Sequence, residues 1–265
     1  NEVDNDTYVA SLDSDGFTVG NDPRTNTDTE AFVSWNWLAN GATTVTNDDG
    51  TIDSEVTANT TAGFSIIEFA GIDDSTPTVG HGLTETPTLV IAKNRDETGN
   101  YLVYAPALTN GKNVYLNLDN AETVQSAYIQ GQDNTASVIK LNQSGGNDNL
   151  GRTGDTVIMY AFHSVEGYSK IGSYEGNGDA DGTFVYLGFQ PAYCIFKAID
   201  EVNGWFIWDS ITNPANVMTK YLTANVSDAE GTYIGIDFLS NGLKFRSSSA
   251  SDGFNKDTIN YIYMA

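Results

Sequence analysis

A stretch of roughly a hundred residues occurs twice in this chain, and that repetition constrains the fold more than any other feature. Residues 167–209 read GYSKIGSYEGNGDADGTFVYLGFQPAYCIFKAIDEVNGWFIWD, and residues 63–104 carry a looser copy. Gly63 and Gly167, Pro87 and Pro191, and Lys93 and Lys197 are each 104 positions apart. A unit of about 100 residues is an ordinary size for a β-sandwich. The upstream copy holds two additional residues between its Gly82 and Pro87, so that loop is expected to differ in shape.

The local pattern agrees with this reading. Apolar runs of strand length are separated by clusters of Gly, Asn, Asp, Ser and Thr, and no long stretch has helical periodicity. The fold class is therefore all-β, as tandem antiparallel β-sandwich repeats with a jelly-roll-like character. Residues 63–164 form the first complete repeat, with strands expected at 64–70, 88–93, 101–104, 113–116, 137–142 and 156–162. Residues 165–265 form the second, with strands expected at 168–174, 183–187, 192–197, 205–208, 221–223, 233–238, 243–246 and 258–264. Residues 144–149, SGGNDN, read as a flexible loop.

Residues 1–39 read as a partial repeat. The segment 12–22 resembles 238–248, with Gly16 matching Gly242 at an offset of 226. Residues 31–39, AFVSWNWLA, alternate as a strand would. Residues 40–62 are polar and read as a linker with one hairpin, 42–45 to 51–56, turned at Asn47, Asp48, Asp49 and Gly50. A chain that starts within repeat-like sequence and ends at a repeat edge is the pattern of a piece of a longer repetitive protein, or of one with disordered ends.

Charge narrows the partners. With 35 acidic and 12 basic residues the formal net charge is −23. Such a surface repels nucleic acid and anionic membranes. The single cysteine, Cys194, lies in an apolar run and reads as a small buried hydrophobe. No signal peptide or transmembrane run is expected, and membrane insertion is not.

Chemistry is sparsely marked. The two histidines, His81 and His163, stand at a turn and a strand end, and no GxSxG, HExxH, CxxC or Walker motif accompanies them. The chain is read as non-enzymatic. A glycan depolymerase would need two carboxylates in a cleft, and among so many acids the sequence selects no pair. In residues 175–182, EGNGDADG, Asp179 and Asp181 are the candidate ligands for Ca²⁺, although the EF-hand pattern is not met and a plain turn needs the same residues. No other cofactor is implied. In residues 205–208 both strand faces are apolar, as in a strand covered on both sides. Trp208, with Asp209 and Asn203, is the candidate for stacking on a sugar ring, against core packing as the ordinary use of a tryptophan. Lys93 and Lys197 recur late in an apolar strand, with the stem packed and the ammonium expected at solvent or a carboxylate.

The runs at 166–182, 188–197 and 237–246, with the closing YIYMA at 261–265, resemble repeats in virion and tail-fibre proteins of tailed bacteriophages, marine and cyanobacterial phages foremost. The resemblance covers most of residues 1–39 and 63–265. It implies a β-rich component of the virion surface, extracellular, presenting loops to a host receptor or decorating the particle. Its partners would be other virion proteins, further copies of itself in a homo-oligomer such as a trimer, and a host-surface glycan. It supplies no catalytic residue. The alternative is a carbohydrate-binding module of a secreted bacterial adhesin or enzyme.

Overall fold

The computed structural model describes residues 8–41, 43–71, 76–124, 127–143, 149–248 and 253–265. Ala42 and most of the loop expected at 144–149 lie outside the described residues. The protein is all-β and antiparallel, and it divides into two compact units, Asn1–Trp37 and Leu38–Ala265.

The first unit holds the hairpin β1 (Val9–Asp13) and β2 (Gly16–Val19), followed by the single turn α1 (Pro23–Asn26). Asp22 caps that turn, its carboxylate accepting from the Arg24 N–H at 2.8 Å. The alternating residues 31–39 belong to no strand, against expectation. Alternation supplies an apolar face, but a strand also needs a neighbour for its backbone hydrogen bonds.

The second unit contains both complete repeats. The first repeat runs β3 (Val45–Asn47), β4 (Ser54–Asn59), β5 (Phe64–Ala70), β6 (Thr78–Gly80), β7 (Leu89–Asn94), β8 (Leu102–Tyr104), β9 (Lys112–Tyr115), β10 (Thr123–Val124), β11 (Ala127–Ile129), β12 (Val138–Gln143) and β13 (Thr156–Phe162). Its sheets have the orders β10-β9-β8-β7-β13-β5-β4-β3 and β11-β12-β6. The second repeat runs β14 (Ile171–Glu175), β15 (Phe184–Tyr186), β16 (Tyr193–Ala198), β17 (Trp205–Asp209), β18 (Met218–Thr223), β19 (Gly231–Leu239), β20 (Gly242–Phe245) and β21 (Asn260–Met264). These form one sheet, β14-β21-β16-β17-β18-β19-β20-β15.

The offset of 104 is a structural register. Val90 pairs with Tyr104 and Ile91 with Val103; Cys194 pairs with Trp208 and Ile195 with Ile207. In both repeats the last strand lies inside the sheet: β13 sits between β5 and β7, and β21 between β14 and β16. Each repeat fills its interior with its own apolar cluster, one around Ile67, Leu102, Ile139 and Met159, the other around Phe196, Trp208, Phe245 and Tyr261.

Two expectations about organisation change. The segment 40–62 contains the expected hairpin, but β3 and β4 are sheet members, and Ile52 and Val56 reach the first core. Its polarity reflects a sheet edge with one wet face, not a linker. The repeats also share a third apolar cluster, in which Leu89, Val103, Leu108 and Val114 meet Ile199, Trp205, Ile262 and Met264. The Trp205 Nε1–H donates to the Tyr115 carbonyl at 2.7 Å across this contact. Strand β17 is thus covered on both faces, as its sequence indicated.

Candidate functional site

Three places were marked by sequence, and the structure assigns each a local role. Trp208 is fully buried in the second core. It packs edge-on to Phe254 at 4.9 Å between ring centroids and lies beside Phe196, Phe206 and Tyr221. A Cβ added at Gly235 would stand 2.8 Å from the indole. The first repeat has the same device 104 positions earlier, where Gly131 makes room for the Tyr104 ring. Trp208 therefore fills the core of the second repeat and offers no face to a sugar.

Asp209 is buried one position further along β17. Its Oδ1 accepts from the Ile211 and Thr212 N–H groups, both at 2.9 Å, and its Oδ2 from the Thr212 hydroxyl at 2.9 Å. The carboxylate closes the turn after the strand. Asn203 lies at the other end of β17, where its N–H donates to the Asp119 carbonyl of the first repeat at 2.7 Å and its Oδ1 accepts from the Gly204 N–H. Residues separated along a strand in this way form no common sugar site.

The acidic loop is held by its own donors. Asp179 accepts from the Asp181 N–H at 2.8 Å, and Asn177 accepts from the Asp179 N–H at 3.1 Å. The buried Asn255 amide donates to the Asp179 and Ser247 carbonyls. The Asp181 carboxylate turns to Lys244 at 2.7 Å, with Arg246 at 3.9 Å. The Lys244 hydrogen bond and charge hold the Asp181 carboxyl below its ordinary range. The two candidate ligands thus point to different partners. Among the described residues no three His, Cys, Asp or Glu side chains converge on one point.

The histidines are backbone fasteners. In the buried His81, Nδ1 accepts from the Leu83 N–H at 3.1 Å and Nε2 faces the Thr135 carbonyl at 3.2 Å, which fixes the Nε2–H tautomer. Burial lowers its proton affinity. His163 directs Nδ1 at the Ser164 carbonyl at 2.9 Å, whereas the Ser164 hydroxyl accepts from the Ile171 N–H.

The recurring lysines depart from expectation. Lys197 is fully buried, and its ammonium donates to the Ala198 carbonyl at 2.5 Å. Lys93 donates to the Asn94 and Glu97 carbonyls. Both heads reach backbone oxygens, not solvent or a carboxylate. Cys194 is buried as anticipated, and burial pushes its thiol well above the ordinary range.

Sequence reasoning did not mark the open clefts of the surface. A cleft of about 310 Å³ lies at one end of the second repeat, lined by Gln190, Ser210, Asn213 and Asn216 around Met218 and Phe238. Asn213 organises it, its Oδ1 accepting from the Thr219 and Lys220 N–H groups. Asn216 clasps the Phe238 backbone through both amide atoms. Three of these four polar residues, Ser210, Asn213 and Asn216, come from the one loop between β17 and β18, and Gln190 from the loop before β16. The exposed aromatics of this repeat are Tyr168, Phe184, Tyr186 and Tyr233.

Among the described residues no helix is long and apolar enough to cross a membrane. No curated protein and no solved structure matches the chain, whereas a family of unknown function matches residues 1–265.

Proposed function

The chain belongs to that family, described as a domain of unknown function (DUF7483), and for it we propose a non-enzymatic structural role on the surface of a bacteriophage particle, as a tail-fibre or decoration component that presents loops to the host. The observation that carries this reading is the shared apolar cluster between the two repeats. It joins the two repeats in one compact unit. Rigid scaffolds with loops at their ends are suited to recognition, and copies arrayed on a particle multiply weak contacts by avidity. The acidic surface and the resemblance of the repeats to phage virion sequences support the same role.

A second reading has its own observation. The cleft around Met218 and Phe238 is concave, with Gln190 and Ser210 on its lining and the Asn213 and Asn216 amides holding its walls, and it favours a binding module of an adhesin or secreted enzyme.

Immunogold electron microscopy of gradient-purified particles, with antibody to this chain, separates the two. Label on slender appendages supports a fibre, and label over the head supports decoration. Signal confined to cells or medium overturns the particle reading and makes a glycan array the next assay.

A further inference from the structure

Among the described residues, the first compact unit holds a counterpart of the second repeat's hairpin β19–β20 and none of β14 to β18. Gly16 and Gly242, and Ala39 and Ala265, are both 226 positions apart, so one register carries residues 8–39 onto the end of the second repeat. The hairpins share the register of the three residue pairs next to the turn and diverge beyond them, where β1 has a bulge between Val9 and Ser11. Leu12 pairs with Phe17 and Asp13 with Gly16 in the first unit; Phe238 pairs with Leu243 and Leu239 with Gly242 in the second repeat. In the same register Val19 corresponds to Phe245, Trp35 to Tyr261 and Trp37 to Tyr263.

The environments differ. Phe238, Leu243, Phe245, Tyr261 and Tyr263 are core residues, each 5% exposed or less. Of their counterparts, Leu12, Phe17 and Trp37 are 86%, 37% and 40% exposed, whereas Val19 and Trp35 are half-buried. Tyr261 and Tyr263 lie on β21, between β14 and β16, whereas residues 31–37 run outside any strand. The complete repeat also shows what covers this face. Tyr174, Val185, Phe196 and Trp208, from β14 to β17, pack on those same positions.

We propose that residues 8–39 are a docking half whose occupant is a repeat segment of the 167–230 type, five strands patterned as β14 to β18. It would place one strand on each edge of residues 34–38 and insert its aromatics against Leu12, Phe17 and Trp37. A hairpin alone is marginal in water, and exposed apolar residues that match a core position for position mark an interface. This inference is independent of the particle reading.

Hydrogen exchange read by mass spectrometry tests it in two steps. In the unaltered chain, residues 8–39 are expected to exchange at least 100-fold faster than 234–265; equal protection overturns the proposal, because the unit would then be self-sufficient. In a chimera, a copy of residues 167–230 is placed directly before Asn5, which preserves the repeat register. Residues 8–39 are then expected to become as protected as 234–265, with a blue shift in tryptophan emission, and Leu12→Asp is expected to abolish both changes. A control chimera carries the same addition followed by residues 231–265 in place of 5–39, a full copy of the second repeat. Protection in the control but not in the first chimera overturns the proposal.

Discussion

Lys197 is a buried cation with no carboxylate in ion-pair contact among the described residues, and its replacement by methionine should alter how stability depends on pH. The side chain is fully buried in β16, and its ammonium meets the Ala198 carbonyl. Burial lowers its pKa from 10.5 to about 8, although Asp119 and Glu201 pull the other way. Between these values the unfolded chain binds more protons than the folded one, so stability rises with pH through this window. The full gap corresponds to about 3 kcal/mol, most of which weighs on the fold at neutral pH. From pH 7 to 9 the wild type should gain about 1 kcal/mol relative to Lys197→Met. Cys194 and the buried tyrosines, whose protons burial retains, act in the opposite direction as pH rises. They are common to both proteins and cancel in the difference. The lost hydrogen bond to Ala198 shifts the variant by an amount independent of pH, so the slope is diagnostic. Urea unfolding followed by tryptophan fluorescence at pH 7, 8 and 9 gives the two curves. Parallel curves would show that the folded ammonium is solvated and that the burial argument fails.

Three further outcomes follow from packing and titration. Gly235→Ala should cost about 1–3 kcal/mol by driving a methyl into the Trp208 indole, whereas Gly16→Ala, which meets nothing nearby, should cost less in the same urea titration. Trp205→Phe removes the indole bond to Tyr115 across the repeat contact and should cost about 1–3 kcal/mol, with exchange rising first in β8, β9 and β17; a uniform rise would argue against a junction effect. His81 is kept neutral by burial, so the unfolded chain takes up its proton first and stability falls as pH drops below 6.5; His81→Gln should flatten that fall in thermal melts between pH 7 and 5.

The repeat was legible because strand register travels with sequence offset. Pro87 and Pro191, and Lys93 and Lys197, keep one spacing, and the pairings around Val90 and Cys194 keep it too. The fate of Trp208 was harder to read. Alternation placed Phe206 and Trp208 on one face of β17, but which face meets the core depends on Gly235, distant in sequence and set against the ring by β18 and β19. Residues 40–62 passed for a linker because a hairpin at the sheet edge buries only a few side chains, here Ile52, Ser54, Val56 and Thr57, two of them polar. Residues 31–39 have the alternation of an interior strand, but no strand pairs with them among the described residues. The Asn213 cleft is built mainly on the loop between β17 and β18, whose asparagines read in sequence as ordinary turn residues.

The interior position of each repeat's closing strand bears on biosynthesis. A ribosome delivers β5 and β7 long before β13, and β14 and β16 long before β21, yet the late strand belongs between the early two. During elongation the early strands must therefore wait with open edges, and each repeat can be completed only when its last residues have left the exit tunnel. Stalling or truncation just upstream of β13 or β21 would leave a sheet split down its middle, with two adhesive edges facing one another. Proteostasis, more than final stability, would then limit the yield of this chain.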